Sequence, residues 1–370
     1  SNLGDVDRFW RARFNRLSSE AKSILAFIGT GDAPVSISQL TELTGLGEEV
    51  DVSVFELVRQ RLVNDDATGK ECITVVHDRI AQGLIENLDP NELHQAHLSW
   101  AALLSKENRP RDFAGRIAGH YYAANKDGSA LPFAIMAADN ADRAFAKSEA
   151  GEWHERVLQQ VAGDARDKHL RDAARCFHEA DLPDKASGYY LILADEARDT
   201  RERYSFQIIA IQLLVRCGQM EQARPLFANL VNELGIEIHQ HGSDSTLEHR
   251  QNLTRLAAKL SVVKSCDIES AIRSGPQLTS PASTADASDL IANCAMDFCS
   301  EISRPMAMLD FRSTMQLVLH GSELALRHGN PVDKIHFGTM ASTWTALLSG
   351  RDREVCDQSL QTLRKQLAKL

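Results

Sequence analysis

At 370 residues, 43% of them apolar, the chain is long enough to bury the cores of two or three subdomains. Its formal charge of −10 works against a general nucleic-acid binder, because affinity for phosphate backbones comes from clustered Lys and Arg. Seven scattered cysteines without a Cys-x-x-Cys pair read as buried thiols of a reducing compartment, and no apolar run approaches the roughly 20 residues that span a bilayer. With no signal-peptide pattern over residues 1–10, the chain is expected to be cytoplasmic and free of membrane.

Residues 1–90 have a grammar of their own. Leu17-Ser18-Ser19-Glu20 sets an N-cap ahead of a helix with Ile24, Leu25 and Ile28 on its apolar face, stopped by the Gly and Pro cluster at 29–34. A short helix starts at Ser36-Ile37-Ser38 and ends by Gly45, and a third over 48–62 places Val50, Val54, Phe55, Val58 and Leu62 at helical spacing. A turn over 64–69 leads to a β run at 72–76. Three short helices and a β element predict a winged-helix subdomain. Its third helix carries Glu48, Glu49, Asp51 and Glu56 against Arg59 and Arg61, the wrong sign for entering a groove lined by phosphates. Protein packing is the expected use, and a DNA-associated transcriptional regulator is the alternative.

The β run breaks at His77-Asp78 into a helical pattern. A histidine there lies beside unpaired backbone N–H groups and a positive dipole end, where a phosphate is welcome. The other reading is that Asp78 caps the helix and His77 packs on the wing. The chain itself has no Gly-x-x-x-x-Gly-Lys-Ser/Thr loop to hold a nucleotide.

From about residue 91 the pattern becomes helices separated by short polar turns. Residues 176–190 overlay on 215–227, with Ala186 and Ala223 at an offset of 37, close to the 34-residue tetratricopeptide period. Residues 145–158 form a third copy. Small residues at these places let paired helices approach, and each pair buries its face by stacking on a neighbour. The fold expected is therefore mainly α: a winged-helix subdomain with a small β wing at 1–90, then a tetratricopeptide-like α-solenoid at 91–273. A Ser/Pro-rich loop follows at 274–289, and further helical repeats at 290–370 end in mid-helix, as in a piece of a longer protein. Within that last block Arg327-His328-Gly329-Asn330-Pro331 joins two long amphipathic helices.

Val75-Val76-His77-Asp78-Arg79-Ile80-Ala81-Gln82 resembles the winged-helix end of bacterial STAND-type signalling ATPases, where a similar sequence closes the ATPase module before helical repeats. Leu93 to Leu104, His120-Tyr121-Tyr122 and Ala137-Ala138-Asp139-Asn140-Ala141 resemble the first helices after that module, and Leu324-Ala325-Leu326-Arg327-His328-Gly329-Asn330 resembles a turn late in the repeats of this group. The resemblance implies a non-catalytic regulatory and protein-interaction segment, coupling a sensor to an upstream ATPase module in cis. It implies that His77 and Asp78 form a nucleotide-sensing motif on the β-phosphate of ADP. It also implies ATP or ADP and Mg²⁺ for the full-length protein, often with a kinase domain, and no cofactor for this segment.

No catalytic set is expected: Gly-x-Ser-x-Gly is missing, and His94 with His97 or His239 with His241 supplies only two of the four ligands usual for zinc, so no metal is expected either. For a protein or peptide partner on the repeats the candidate anchors are Arg116, Tyr121, Tyr122, Tyr189 and Tyr190. Neighbours on a helix diverge by about 100°, so one tyrosine of each pair is expected in the core and the other in solvent.

Overall fold

The computed structural model describes residues 13–31, 33–65, 72–76, 89–238, 245–260, 287–307, 310–348 and 361. Contacts divide the chain between Cys176 and Phe177 into two compact units. His77, Asp78, His239, His241 and most of the loop at 274–289 lie outside the described residues.

The first unit opens with α1 (Ser19–Thr30), where the Ser18 hydroxyl accepts the Ala21 N–H and so satisfies one of the orphan donors of the first turn. The helix runs through Gly29 and stops at Gly31. Next come β1 (Val35–Ser36) and α2 (Ile37–Thr44), which opens with a reciprocal Ser36 and Gln39 capping box and closes on left-handed Gly45, φ 70°. After α3 (Glu49–Arg59) come β2 (Val63–Asp65) and β3 (Cys72–Val75). The sheet order is β1-β3-β2, all antiparallel, with Val35 opposite Ile73 and Val63 opposite Val75. Helix, strand, two helices and two strands is the element order of a winged helix. Ile24, Leu25, Leu40, Val50, Leu57, Leu62 and Ile73 form its core, each no more than 1% exposed.

Two details correct the sequence reading of α3. It ends at Arg59 because Arg61 turns left-handed (φ 55°), and the Leu62 N–H reaches back to the Leu57 carbonyl. Leu62 therefore enters the core from beyond the helix. Phe55, expected on the apolar face, is 64% exposed, since the buried stripe runs Val50, Ser53, Val54, Leu57 and Phe55 lies one residue off it.

The same core continues into α4 (Pro90–Ser105). Trp100 is fully buried, and its indole N–H donates to the Phe27 carbonyl at 3.1 Å. A 3₁₀ turn (Pro110–Phe113) leads to α5 (Ala114–Ala123), α6 (Asp127–Arg143), α7 (Lys147–Leu158) and α8 (Gly163–Glu179). The second unit takes the end of α8 and holds α9 (Pro183–Glu196), α10 (Thr200–Arg216), α11 (Met220–Glu233), α12 (Ser245–Leu260), α13 (Ala287–Met306), α14 (Phe311–Arg327) and α15 (Pro331–Leu348).

Three helix pairs repeat. The first helices begin at 127, 163 and 200 and the second at 147, 183 and 220, steps of 36 and then 37 residues. Ala150, Ala186 and Ala223 hold the same place in each second helix, all buried. Each pair is joined by the same turn, with Phe145, Asp181 or Gly218 left-handed (φ 59°, 55° and 80°). The next N–H reaches five residues back, from Ala146 to Ala141, Leu182 to Phe177 and Gln219 to Leu214. Left-handed backbone costs an ordinary L-residue roughly 1–2 kcal/mol, and at Phe145 and Asp181 it is accompanied by this recurring local hydrogen bond. The molecule is thus mainly α, a small three-stranded sheet followed by tandem, tetratricopeptide-like helix pairs. In the second unit Phe227 packs on Phe298 at 5.5 Å between ring centroids, and a Cβ on Gly321 would overlap the buried Phe337 ring. No described helix is long and apolar enough to cross a membrane.

Candidate functional site

The expected partner anchors are drawn into the packing. Tyr121 stacks on Phe133 at 5.9 Å and joins the first core, while Tyr122 turns the other way, its hydroxyl accepting from Gln160 Nε2 at 2.7 Å under the Arg156 guanidinium. Burial raises the Tyr122 phenol above its ordinary pKa. Neither is an exposed residue. The 100° divergence is real, but α5 is covered on both flanks, so it sends the two rings into two different contacts instead of one core and one solvent position. Tyr190 is buried, edge-on to His178 and near Phe206, while Tyr189 is half-buried and stacked on Phe177 at 5.7 Å. Arg116 is also half-buried, with an Nε enclosed and lacking a hydrogen-bond partner.

The first unit instead gathers its polar chemistry at two histidine contacts. His97 of α4 meets His120 of α5, not His94, with Nδ1 atoms 3.0 Å apart and Trp100 stacked on His120 at 5.9 Å and 10°. Burial first, then the positive charges of His97 and Arg116, pull the His120 pKa down to about 3. His154 of α7 meets His169 of α8, again with Nδ1 atoms 3.0 Å apart. Both rings are buried, 4% and 5% exposed. Burial holds His154 down to about 4 and His169 below its ordinary value.

Beside the second pair runs a chain of charges. Asp172 lies one turn after His169 on α8, and Arg175 joins it (3.3 Å) to Asp142 (3.0 Å) at the end of α6. Lys147 also holds Asp142, whose carboxyl is pulled down to about 2 by the hydrogen bonds from Arg175 and Lys147. Cys176 completes the row, its Sγ 3.8 Å from Asp142, with the thiol pushed up to about 11 by burial and so inert as a nucleophile near pH 7.

No protein-family model and no curated protein matches the chain. Among solved structures it is similar to a signal transduction ATPase with numerous domains (STAND) protein with a tetratricopeptide repeat sensor from Pyrococcus horikoshii. The identity is 14% and the TM-score 0.36, and the match covers 96% of this chain and 48% of that one. The chain spans about half the length of that protein.

Sequence reasoning missed the histidine pairs because their members stand 23 and 15 residues apart on different helices. It also missed the apolar surface of α3, where Val52 (71% exposed) joins Phe55.

Proposed function

We propose that this chain is a non-catalytic regulatory segment of a STAND-type signalling ATPase, whose helical repeats receive a protein or peptide partner and whose winged-helix subdomain relays that event to a nucleotide-binding module in cis. The observation that carries the reading is the recurrence of helix pairs at 36 and 37 residues on the C-terminal side of a three-helix, three-strand subdomain. The resemblance around His77-Asp78 supports the ATPase context, and His77 is proposed to contact the β-phosphate of ADP.

The surface of α3 favours protein packing over DNA. Its exposed residues combine Val52 and Phe55 with Glu49, Asp51 and one cation, Arg59, and Glu56 accepts hydrogen bonds from both the N–H and the hydroxyl of Ser18. A phosphate-lined groove attracts the opposite sign and repels these acids. On this reading ATP and Mg²⁺ belong to the full-length protein. Calorimetry of the isolated chain should show no tight ATP binding, and anisotropy with duplex DNA at about 50 mM salt should show none that weakens with added salt. Micromolar ATP affinity would overturn the non-catalytic reading. Salt-sensitive duplex binding lost on Arg59→Ala and Arg61→Ala would instead establish the DNA-associated regulator.

A further inference from the structure

We infer that His154, His169 and Asp172 form a binding site for a first-row divalent cation of the Zn²⁺ class, clamping α7 to α8 within the first unit. The three side chains present ligand atoms within 4.8 Å of one another, two of them imidazole nitrogens already 3.0 Å apart. Two imidazoles and one carboxylate suit zinc and its neighbours, leaving a fourth position for water, and they do not suit Ca²⁺ or Mg²⁺, which prefer all-oxygen sets.

The donor chemistry fits at each atom. In the pair as it stands one Nδ1–H donates to the lone pair of the other Nδ1. An ion bound by both would move that ring to its Nε2–H tautomer and open the nitrogens to the roughly 3.3 Å that bonds of about 2.0–2.1 Å make at a tetrahedral angle. For the two nitrogens that is a change of tenths of an ångström with a small turn of each ring, and the Asp172 carboxylate closes from within 4.8 Å. Both imidazole rings are buried, while Asp172 keeps 28% of its side chain exposed and offers the way in. Arg175 orients Asp172 from outside and neutralises Asp142, whose oxygens are engaged by Arg175 and Lys147 and are not counted as ligands.

The pair His97 and His120 supplies the internal control. It has the same nitrogen separation, but its electrostatic neighbour is Arg116, and no carboxylate joins it in a three-ligand group among the described residues.

The test is titration of the full 370-residue chain with Co²⁺ and Zn²⁺, read by visible d–d absorption, calorimetry and thermal melting. The expected result is one equivalent of Co²⁺ with tetrahedral-type bands and no thiolate charge-transfer band, displaced by Zn²⁺, and a Tm that rises with metal concentration. His154→Gln, His169→Gln and the near-isosteric Asp172→Asn should each weaken binding about 100-fold or more while far-UV circular dichroism stays native. His97→Gln combined with His120→Gln should leave it unchanged. Absence of saturable binding, unweakened binding in a folded Asp172→Asn protein, loss in the His97/His120 variant, or a thiolate band would each overturn the assignment.

Discussion

His97 and His120 meet with Nδ1 atoms 3.0 Å apart and ring planes tilted by 39°, and His154 and His169 do so at 3.0 Å and 40°. What surrounds the two contacts differs. The first is sealed by Trp100 and faced by Arg116, and the second is flanked by Asp172, Asp142 and Arg175. One hydrogen bond between rings therefore serves two ends. Under an aromatic lid beside a guanidinium it is a packing contact, and added positive charge is repelled by Arg116. Beside carboxylates it becomes a set of ligands.

The largest expected effect breaks the first contact at its lid. Trp100→Ala removes a fully buried ring, its hydrogen bond to Phe27 and its stack on His120, and should destabilise the first unit by about 3–5 kcal/mol in urea unfolding. A cost below about 1 kcal/mol would mean that α4 is not integral to that core.

Next comes the pH response of the same pair. The His120 pKa is lowered from 6.5 to about 3 by burial, so the unfolded chain binds the extra proton across that window and stability falls as pH drops through it. Between pH 7 and pH 5 the loss for this site is about 2 kcal/mol. His120→Phe, which keeps a ring against Trp100, should shrink the pH 7 to pH 5 difference in urea midpoint accordingly. An unchanged difference would show that solvent reaches the imidazole.

The smallest effect belongs to the charges beside the second pair. Asp142 is lowered to about 2 by hydrogen bonds from Arg175 and Lys147, a contribution present above its ordinary 3.8 and lost as pH falls toward 2. Because these side chains are partly in solvent, screening leaves about 1 kcal/mol, and Asp142→Asn should cost that much at low salt and less at high salt. A loss of 3 kcal/mol or more would mark Asp142 as a buried structural charge.

The repeat was legible because its signals are local. Ala150, Ala186 and Ala223 recur at fixed steps, and the turn before each second helix follows from a short stretch of chain. The cap at Ser18 and the left-handed stop at Gly45 were legible for the same reason, since a cap is satisfied within three or four residues. The His328-Gly329-Asn330 stop also held, with the Asn330 side chain accepting the Val332 and Asp333 N–H groups to start α15 at Pro331.

By itself, then, the sequence determined several helix caps and stops, how the pairs recur, and that the chain is mainly α. Those outcomes depend on hydrogen bonds and periodicities spanning a few residues. The tertiary structure alone decided that Phe55 faces solvent while Leu62 enters the core, that Tyr121 and Tyr122 leave for different neighbours, and that four histidines sort into two pairs. Helical periodicity names a face but not what covers it. A ring's partner, its burial and hence its charge are set by the helix that packs across from it.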